Sequence, residues 1–371
     1  MKFDFAAQKW SYCLSDIHAL DYTDNVINLL LQEIQLLSVV AKETLEVASC
    51  IGRSFTLAQI CKITELSVKA LVIELSDALR RGMIQPVFEE TANSEDTDIC
   101  RPVIAIEPIG FRFLHDKVQE SFYTAISEDK RGRLLYQIGC QIRKSSKTLR
   151  NQELFDMLNH YLIGRSHILN QTEAQEVSQL CITAANHSIE LSSYQQALDY
   201  SLLGKELIKQ FSIVGHLWHH QQSSCFKLTQ AIIISGSMLS RKDLVEAEFS
   251  ASMNHLADSC ERVELYTLRI HYLIQQGKVS ECNSLVRDFL VELNLSMPET
   301  YDLEVARAEA AMITETLDYQ TLEEKFCSLP MSTNNLSSLL TEFLVAASSA
   351  VYLAGDHLLS VFTHLKSCFL T

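Results

Sequence analysis

The amino-acid sequence predicts a mainly α-helical protein, and three observations support that prediction. The chain has 371 residues but only 11 Gly and 5 Pro, so few positions interrupt helices. Few stretches show the alternation of apolar and polar residues that a half-buried strand requires. Hydrophobic residues make up 47% and charged residues 21%, which favours a folded chain over a disordered one. At this length, two or three domains with a sizeable core are expected.

Three helices are predicted in the first part of the chain. Each has apolar residues at helical spacing and a suitable terminal residue, either a serine at its start or a glycine at its end. The third also has basic residues in its last turn, which favours the helix dipole. The predicted helices cover residues 28–51 before Gly52, residues 54–63 after Ser54, and a longer segment from its cap Ser67 to its end at Gly82.

A β-hairpin is predicted to follow these helices. Strand patterns cover Met83 to Phe88 and, on the returning side, Val103 to Ile106 and Gly110 to Leu114. Three helices followed by a hairpin is the order of a winged-helix domain, with the loop between the strands as the wing tip. Phosphates would repel this acidic loop, which argues against DNA binding, although a solvated loop is the simpler interpretation. Its carboxylates belong to Glu89, Glu90, Glu95, Asp96 and Asp98.

The stretch from Phe111 to Ile142 predicts the end of a strand and two helices. The strand pattern stops at His115 and Asp116, and Asp116 is placed to accept hydrogen bonds from free N–H groups at the start of a helix. Apolar residues recur on one face of that helix and on one face of the next. The two faces consist of Val118, Phe122, Ala125 and Ile126, and of Leu134, Leu135, Ile138 and Ile142.

Beyond residue 130 the sequence predicts helix after helix, with the spacing of tetratricopeptide-type repeats. In such repeats a small residue between two large ones lets the neighbouring helix approach closely. The motif recurs at intervals that fall from about 50 to about 35 residues, so the repeat is degenerate. The motif and its echoes are Tyr194-x-x-Ala197-x-x-Tyr200, Leu244-x-x-Ala247 and Val279-x-x-Cys282, and the expected turns are Gly277-Lys278 and Gly355-Asp356.

The chain contains the pattern Phe-x-Phe-x-His-Asp-x-Val-Gln-x-x-x-Tyr, followed by Arg and a helix that ends in Ile-Gly. This pattern resembles part of very large bacterial signalling proteins. In that family a Ser/Thr kinase-like domain precedes a STAND-type AAA+ ATPase, a winged helix and a long helical-repeat region, and GAF and histidine-kinase domains often follow. The resemblance extends to Trp10, Ile17 and residues 23–26, and less specifically to the helical region. The matching residues are Phe111, Phe113, His115, Asp116, Val118, Gln119, Tyr123, Arg131, Ile138 and Gly139.

The resemblance implies three segments: a remnant of the ATPase domain over residues 1–27, a winged-helix domain over residues 28–128, and a tetratricopeptide-like region over residues 129–371. It also implies that His115 and Asp116 are nucleotide-sensor candidates, because the similar His-Asp motif of STAND proteins has a histidine that approaches the β-phosphate of bound ADP. An imidazole N–H can donate to a phosphate oxygen. Within this chain alone, capping by Asp116 and local packing of His115 are the expected roles.

The sequence contains no pattern for autonomous catalysis. The phosphate-binding loop Gly-x-x-x-x-Gly-Lys-Ser/Thr, the kinase motifs and the Gly-x-Ser-x-Gly of hydrolases are absent. His160 lies in a repeat-type helix without the acidic flank of a phospho-acceptor. The spacing of His216, His219 and His220 allows a metal site, but exposed histidines beside a half-buried Trp218 are favoured. We therefore predict no catalytic residue, no metal and no cofactor for this chain, and ATP or ADP with Mg²⁺ is implied only for the full-length family.

Composition also bounds the partners and the compartment. The net charge is −15 and no basic face is apparent, so no nucleic-acid partner is expected. The 11 cysteines are scattered without a Cys-x-x-Cys pair, which indicates reduced thiols that pack between helices. No window of about 18 apolar residues and no signal peptide is apparent, so the sequence predicts a cytoplasmic protein without a membrane span.

The sequence as a whole predicts a non-catalytic regulatory and scaffolding segment of a STAND-type signalling protein. Its winged helix would respond to nucleotide state, and its helical array would pass that change to neighbouring ATPase or kinase domains or bind a protein partner. One alternative is a relative of STAND transcription regulators, although no basic helix-turn-helix is visible before Thr371. Another is a stand-alone adaptor that kept the fold and lost the ATPase.

Overall fold

A computed structural model shows a mainly α-helical chain, as predicted, that divides into two compact units, Met1–Leu169 and Asn170–Thr371. We call them the N-terminal and C-terminal units. The structure describes residues 2–4, 9–11, 32–88, 109–145, 151–211, 222–253, 255–256, 258–316 and 335–370. Several predicted features lie outside these residues: the acidic wing-tip loop, the strand at 103–106, Ile17, residues 23–26, and the histidines around Trp218.

The N-terminal unit combines helices with short antiparallel strands. β1 and β2 pair with each other, and β3, β5 and β4 form a second sheet in that order. The elements are β1 Lys2–Asp4, β2 Lys9–Ser11, α1 Val39–Ile51, β3 Ser54–Thr56, α2 Leu57–Thr64, α3 Val68–Arg80, β4 Ile84–Val87, β5 Gly110–Phe113, α4 Asp116–Ala125, α5 Glu128–Ser145 and α6 Asn151–Gly164.

Aromatic side chains join the second sheet to the helices of this unit. Phe55 of β3 lies opposite Phe111 of β5, and Phe113 lies opposite Ile84 of β4. The Phe113 ring is 5.6 Å from that of Phe55 and 6.2 Å from that of Phe122 on α4, measured between centroids. All these side chains are buried. Burial of such large apolar rings stabilises the unit around its sheet.

Two of the predicted helices differ from the observed ones, and residues 28–31 of the first lie outside the described part of the chain. The single helix expected over residues 28–51 is interrupted, because Ser38 caps a new helix by accepting the N–H of Ala41 at 3.0 Å. The helix expected after Ser54 begins at Leu57, because residues 54–56 pair with β5 as a strand. Thr56 then caps α2, and its backbone N–H donates to the side chain of Gln59 at 2.8 Å, which completes a capping box. The predicted cap Ser67 of α3 is confirmed.

The N-terminal unit extends beyond the predicted winged-helix segment. Leu134, Leu135 and Ile138 of α5 belong to the same buried cluster as the sheet and the first helices. A Cβ at Gly164 of α6 would lie 2.7 Å from the backbone nitrogen of Tyr136, so glycine permits close packing of α6 on α5. The compact unit ends at Leu169. The domain boundary expected after residue 128 stays a prediction.

In its described residues the C-terminal unit consists of helices, most of them in antiparallel pairs with short turns. Helices α7 and α8 pair closely, as do α14 and α15, and the first helices of successive pairs contact one another. The helices are α7 Gln171–Glu190, α8 Tyr194–Phe211, α9 Gln222–Met238, α10 Lys242–Met253, α11 Ser259–Gln275, α12 Val279–Glu292, α13 Leu303–Thr316, α14 Asn335–Leu353 and α15 His357–Leu370.

Four helix pairs share one turn geometry. The middle residue of each turn is left-handed, with φ of 57° at Ser192, 58° at Ser240, 69° at Gly277 and 87° at Gly355. The N–H of the following residue donates to a carbonyl five residues earlier, over 2.7 Å, 2.8 Å, 2.9 Å and 3.0 Å in chain order. This is a Schellman motif, which satisfies carbonyls at the end of the first helix. The turns predicted at Gly277 and Gly355 are confirmed, and two more use serine.

The small residue is buried at two of the three positions predicted for the motif. Ala197 and Tyr200 on α8 are buried, and so is Cys282 on α12. Ala247 on α10 is exposed, so its predicted contact with a neighbouring helix is wrong. The buried face of α10 is instead formed by Val245 and Phe249.

In the described part of the chain, α14 is the one helix that is long and apolar enough to cross a membrane. This judgement rests on length and composition alone, and its mean hydropathy reaches 1.5. It corrects the expectation that no such window exists. One face of α14 is buried inside the protein. The residues of that face include Phe343, Leu344, Ala347, Ala350 and Val351. A single helix of this kind is weak support for a span, because the core helix of a globular protein passes the same test.

Candidate functional site

His115 and Asp116 lie at the junction of β5 and α4. His115 is the N-cap residue of α4, its backbone is extended, and its carbonyl accepts the N–H of Val118 at 3.0 Å. Its side chain makes no capping hydrogen bond. The expected cap Asp116 is instead the first residue of the helix, where its negative charge favours the helix dipole. Both side chains are exposed, so His115 does not pack into the core.

Backbone hydrogen bonds fix the position of this junction. The N–H of Phe113 donates to the carbonyl of Arg53 at 2.9 Å, and the N–H of Leu114 donates to the carbonyl of Met83 at 3.0 Å. The Arg53 guanidinium in turn lies 3.5 Å from the Asp116 carboxylate, with the two side chains 63% and 78% exposed. An ion pair this exposed contributes little to stability. The sheet therefore sets the location of His115, and its side chain remains accessible.

The junction offers donors to an anionic oxygen. A guanidinium, an imidazole and the N-terminus of a helix can each interact with a phosphate. The Asp116 carboxylate opposes such a ligand unless Arg53 or a cation offsets its charge. The three side chains lie on an open surface rather than in an enclosed site. The nucleotide-sensor role of His115 and Asp116 stays a prediction.

Three of the described cysteines, Cys50, Cys181 and Cys225, are unsuited to nucleophilic chemistry. Burial raises the pKa of Cys50 to about 11, despite a hydrogen bond with Ser49, and it raises the pKa of Cys225 to about 11 as well. Burial also raises the pKa of Cys181. Such thiols stay protonated at neutral pH, and the thiolate is the reactive form. These three residues pack between helices, as the sequence predicts for the cysteines.

Among the described residues, no group of three or more His, Cys, Asp or Glu is arranged to hold a metal ion. His160, which the sequence disfavours as a phospho-acceptor, is half-buried on α6 and lines a cavity of the N-terminal unit. Burial lowers the pKa of His160, although the nearby Asp156 partly opposes that change. Sequence patterns do not reveal this cavity, because α2 forms one wall and lies far along the chain from α5 and α6, which form the others.

Polar pairs join successive hairpins in the C-terminal unit. Lys205 on α8 donates to Thr229 on α9 at 3.0 Å and pairs with Glu248 on α10. Gln230 on α9 donates to Glu264 on α11 at 2.5 Å. Lys205 and Glu248 are largely buried, and breaking such a pair would leave one charge without compensation. These pairs favour one particular stacking of the hairpins.

A second set of polar pairs continues through the rest of this unit. Arg269 on α11 donates to Glu246 on α10 at 2.6 Å, and its guanidinium lies 4.7 Å from the centroid of the Phe249 ring. Arg287 on α12 pairs with Asp356, which lies in the turn between α14 and α15. Adjacent hairpins are thus joined by charged side chains as well as by apolar contacts.

Comparison with known proteins gives one distant similarity. No family model and no solved structure matches the chain. The chain is 22% identical, over an alignment of 382 positions, to the hybrid signal transduction histidine kinase G of Dictyostelium discoideum. The alignment covers 89% of this chain and 10% of that relative, so the chain spans about a tenth of the relative's length. The similarity indicates a distant relationship to a signal-transduction histidine kinase.

Proposed function

We propose that the chain is a non-catalytic regulatory and scaffolding segment of a STAND-type signalling protein. The observation behind this proposal is the helical hairpin that recurs with one turn geometry in the C-terminal unit. Stacked hairpins of this kind form extended surfaces that suit binding to peptides or domains. We interpret these hairpins as a tetratricopeptide-like array. The distant similarity to a signal transduction histidine kinase supports a place in signal transduction.

We interpret the first part of the N-terminal unit as a winged-helix domain. Its support is the chain order helix, strand, helix, helix, strand, strand, with the last strand between the other two. In a DNA reader of this type the third helix enters the major groove. Here α3 has Lys69 and Arg80 but also Glu74 and Asp77, and its Ile73 is 70% exposed. A helix without net positive charge and with an exposed aliphatic residue favours a protein partner over DNA.

In this proposal the winged helix contacts a neighbouring nucleotide-binding domain, and His115 contributes to sensing the nucleotide there. Accessible donors at His115 and Arg53 support that role. ATP or ADP with Mg²⁺ would be held mainly by the neighbouring domain. The helical array would then pass the change to kinase domains. Because the chain itself lacks a phosphate-binding loop, we expect it to be inactive alone.

Isothermal titration of the purified chain with ATP and with ADP, both with Mg²⁺, tests the proposal. We expect no binding heat and no hydrolysis. His115→Ala and the matched variant His271→Ala, at another exposed histidine, should behave like the wild-type chain. Micromolar binding that only His115→Ala weakens would show that the chain holds a nucleotide site of its own, and it would contradict the proposal.

Proximity labelling with the tagged chain in its source organism tests which proteins the chain contacts. We expect enrichment of ATPase or kinase domains. Loss of that enrichment in Ile73→Asp, with retention in Lys242→Asp on α10, would place the contact on the exposed face of α3. Enrichment of DNA-bound proteins that persists in Ile73→Asp would instead favour the transcription-regulator alternative.

A further inference from the structure

A cavity of about 490 Å³ opens within the N-terminal unit. Its walls are α2, α5 and α6, and the end of α1 closes one side. Each of the three helices lines the cavity with residues spaced three or four positions apart, so one face of each helix takes part. The volume lies in the range of small-molecule sites, which is roughly 300–1,000 Å³. A small ligand would therefore fit.

Four isoleucines form the apolar part of the cavity. They are Ile51, Ile63, Ile138 and Ile142, contributed by α1, α2 and α5. Ile138 is buried, and the other three are half-buried. A branched aliphatic group placed against them would be removed from water, which favours binding.

The charged groups of the cavity lie on two different helices. Lys62 belongs to α2, whereas Glu153 and Asp156 lie one turn apart on α6. Lys62 and Asp156 are exposed at the rim, and Glu153 is half-buried. His160 follows on the same face of α6, and burial lowers the pKa of its imidazole. The imidazole is therefore neutral at pH 7, and α6 presents a negative wall.

The charges restrict which ligand can bind. A purely anionic ligand would meet two carboxylates, and a purely cationic ligand would meet the Lys62 ammonium. An uncharged apolar ligand would offer no opposite charge to either helix, so it would not use the polar part of the cavity. A ligand with an ammonium, a carboxylate and an aliphatic side chain complements the carboxylates of α6, the Lys62 ammonium and the isoleucines. The amides of Gln59 and Gln141 line the cavity too and can donate to or accept from either head group.

We propose that this cavity binds a zwitterionic ligand with a branched aliphatic side chain, that is, an aliphatic amino acid or a short aliphatic peptide. Glu153 and Asp156 receive the ammonium, Lys62 receives the carboxylate, and the isoleucines contact the side chain. The site is separate from His115 and does not depend on the nucleotide-sensor role.

The test uses the full chain with ¹³C-labelled isoleucine δ1-methyl groups, assigned through Ile→Val variants. The probes are L-leucine, the dipeptide leucyl-leucine, leucinamide, which has only the positive charge, and N-acetyl-leucine, which has only the negative charge. We expect leucine or leucyl-leucine to shift the methyl signals of Ile51, Ile63, Ile138 and Ile142. Each singly charged analogue should bind about tenfold more weakly, the effect of one charge-assisted hydrogen bond. The tighter of the two zwitterions identifies the source as a free amino acid or a peptide.

Variants at the rim assign the charges. Lys62→Gln should weaken the binding of leucine and of N-acetyl-leucine but leave the binding of leucinamide unchanged. Asp156→Asn should weaken the binding of leucinamide but leave the binding of N-acetyl-leucine unchanged. Asp129→Asn, at an exposed position of α5, is the matched control and should bind like wild type. Circular dichroism verifies that each variant folds. No shift of the four methyl signals at millimolar probe, or shifts that are equal for all probes and variants, would overturn the proposal.

Discussion

The two units of the chain differ in the sequence separation of the contacts that stabilise them. In the N-terminal unit, Phe55 pairs with Phe111, and the backbone of Arg53 bonds that of Phe113. In the C-terminal unit, each paired helix packs on the next one through a turn of a few residues. The first arrangement forms only when distant segments meet, whereas the second forms from neighbours. We therefore expect the N-terminal unit to unfold as a whole and the C-terminal unit to lose stability in steps.

The largest effect is expected from Phe113→Ala. The Phe113 ring is fully buried between Phe55 and Phe122, so its removal leaves a cavity where sheet and helices meet. Loss of such a ring costs about 3–5 kcal/mol of unfolding free energy. Denaturant unfolding followed by hydrogen exchange should show loss of protection throughout the N-terminal unit. Ile73→Ala, at an exposed position, is the control, and an equal loss there would contradict this assignment of the core.

A smaller and more local effect is expected from Gly204→Ala. An added Cβ would lie 2.9 Å from the Leu228 side chain and 3.0 Å from that of Cys181, so α7, α8 and α9 would have to separate slightly. Such overpacking costs about 1–3 kcal/mol. Hydrogen exchange should increase in these three helices and stay unchanged in α14 and α15. Lys209→Ala on the exposed face of α8 is the control. A uniform increase across the C-terminal unit would contradict stepwise unfolding.

Asp356→Asn tests the ion pair between Arg287 and Asp356, which joins two hairpins. The substitution is expected to lower the free energy of unfolding by about 1 kcal/mol at pH 7. Burial alone would raise the pKa of Asp356, but the N–H of Leu359 and the side chains of Arg287 and Asn283 outweigh it and lower the pKa. A carboxyl with a lowered pKa stabilises the fold at pH values above the ordinary pKa of an aspartate. This contribution is lost as the pH falls through the lowered pKa. The stability difference between wild type and variant, measured by urea unfolding, should therefore shrink on acidification. A difference that is constant with pH would contradict the ion pair.

The smallest effects concern the shared turn. Ser240→Gly should raise stability by up to about 1 kcal/mol, because the serine is left-handed and glycine adopts that conformation without strain. Gly277→Ala should lower stability by about the same amount. Opposite shifts in thermal midpoint would support equivalent turns. If both substitutions shift the midpoint in the same direction, the two turns are not equivalent.

The difference between the units also explains what the sequence could predict. Turns at Gly277 and Gly355 were predictable because glycine favours the left-handed conformation, whereas Ser192 and Ser240 give no such signal. The start of α2 was misplaced because Phe55 belongs to a strand only through its distant partner Phe111. Local signals thus identified elements more reliably than they identified pairings.

The sites follow the same rule. A local motif was enough to select His115 and Asp116 as candidates, although the capping position fell to His115 rather than Asp116. The cavity could not be found, because Lys62, Ile138 and Asp156 meet only when three helices pack. Long-range packing, rather than any residue pattern, creates that site.

Native-state hydrogen exchange with increasing denaturant tests the central contrast most directly. We predict that amides of β3, β5, α1 and α4 lose protection together at one denaturant concentration. Amides of α7 to α15 should lose protection in successive groups that correspond to helical hairpins, as expected for a stacked array. A single cooperative transition for all helices of the C-terminal unit would contradict the array and, with it, the structural basis of the proposed scaffolding role.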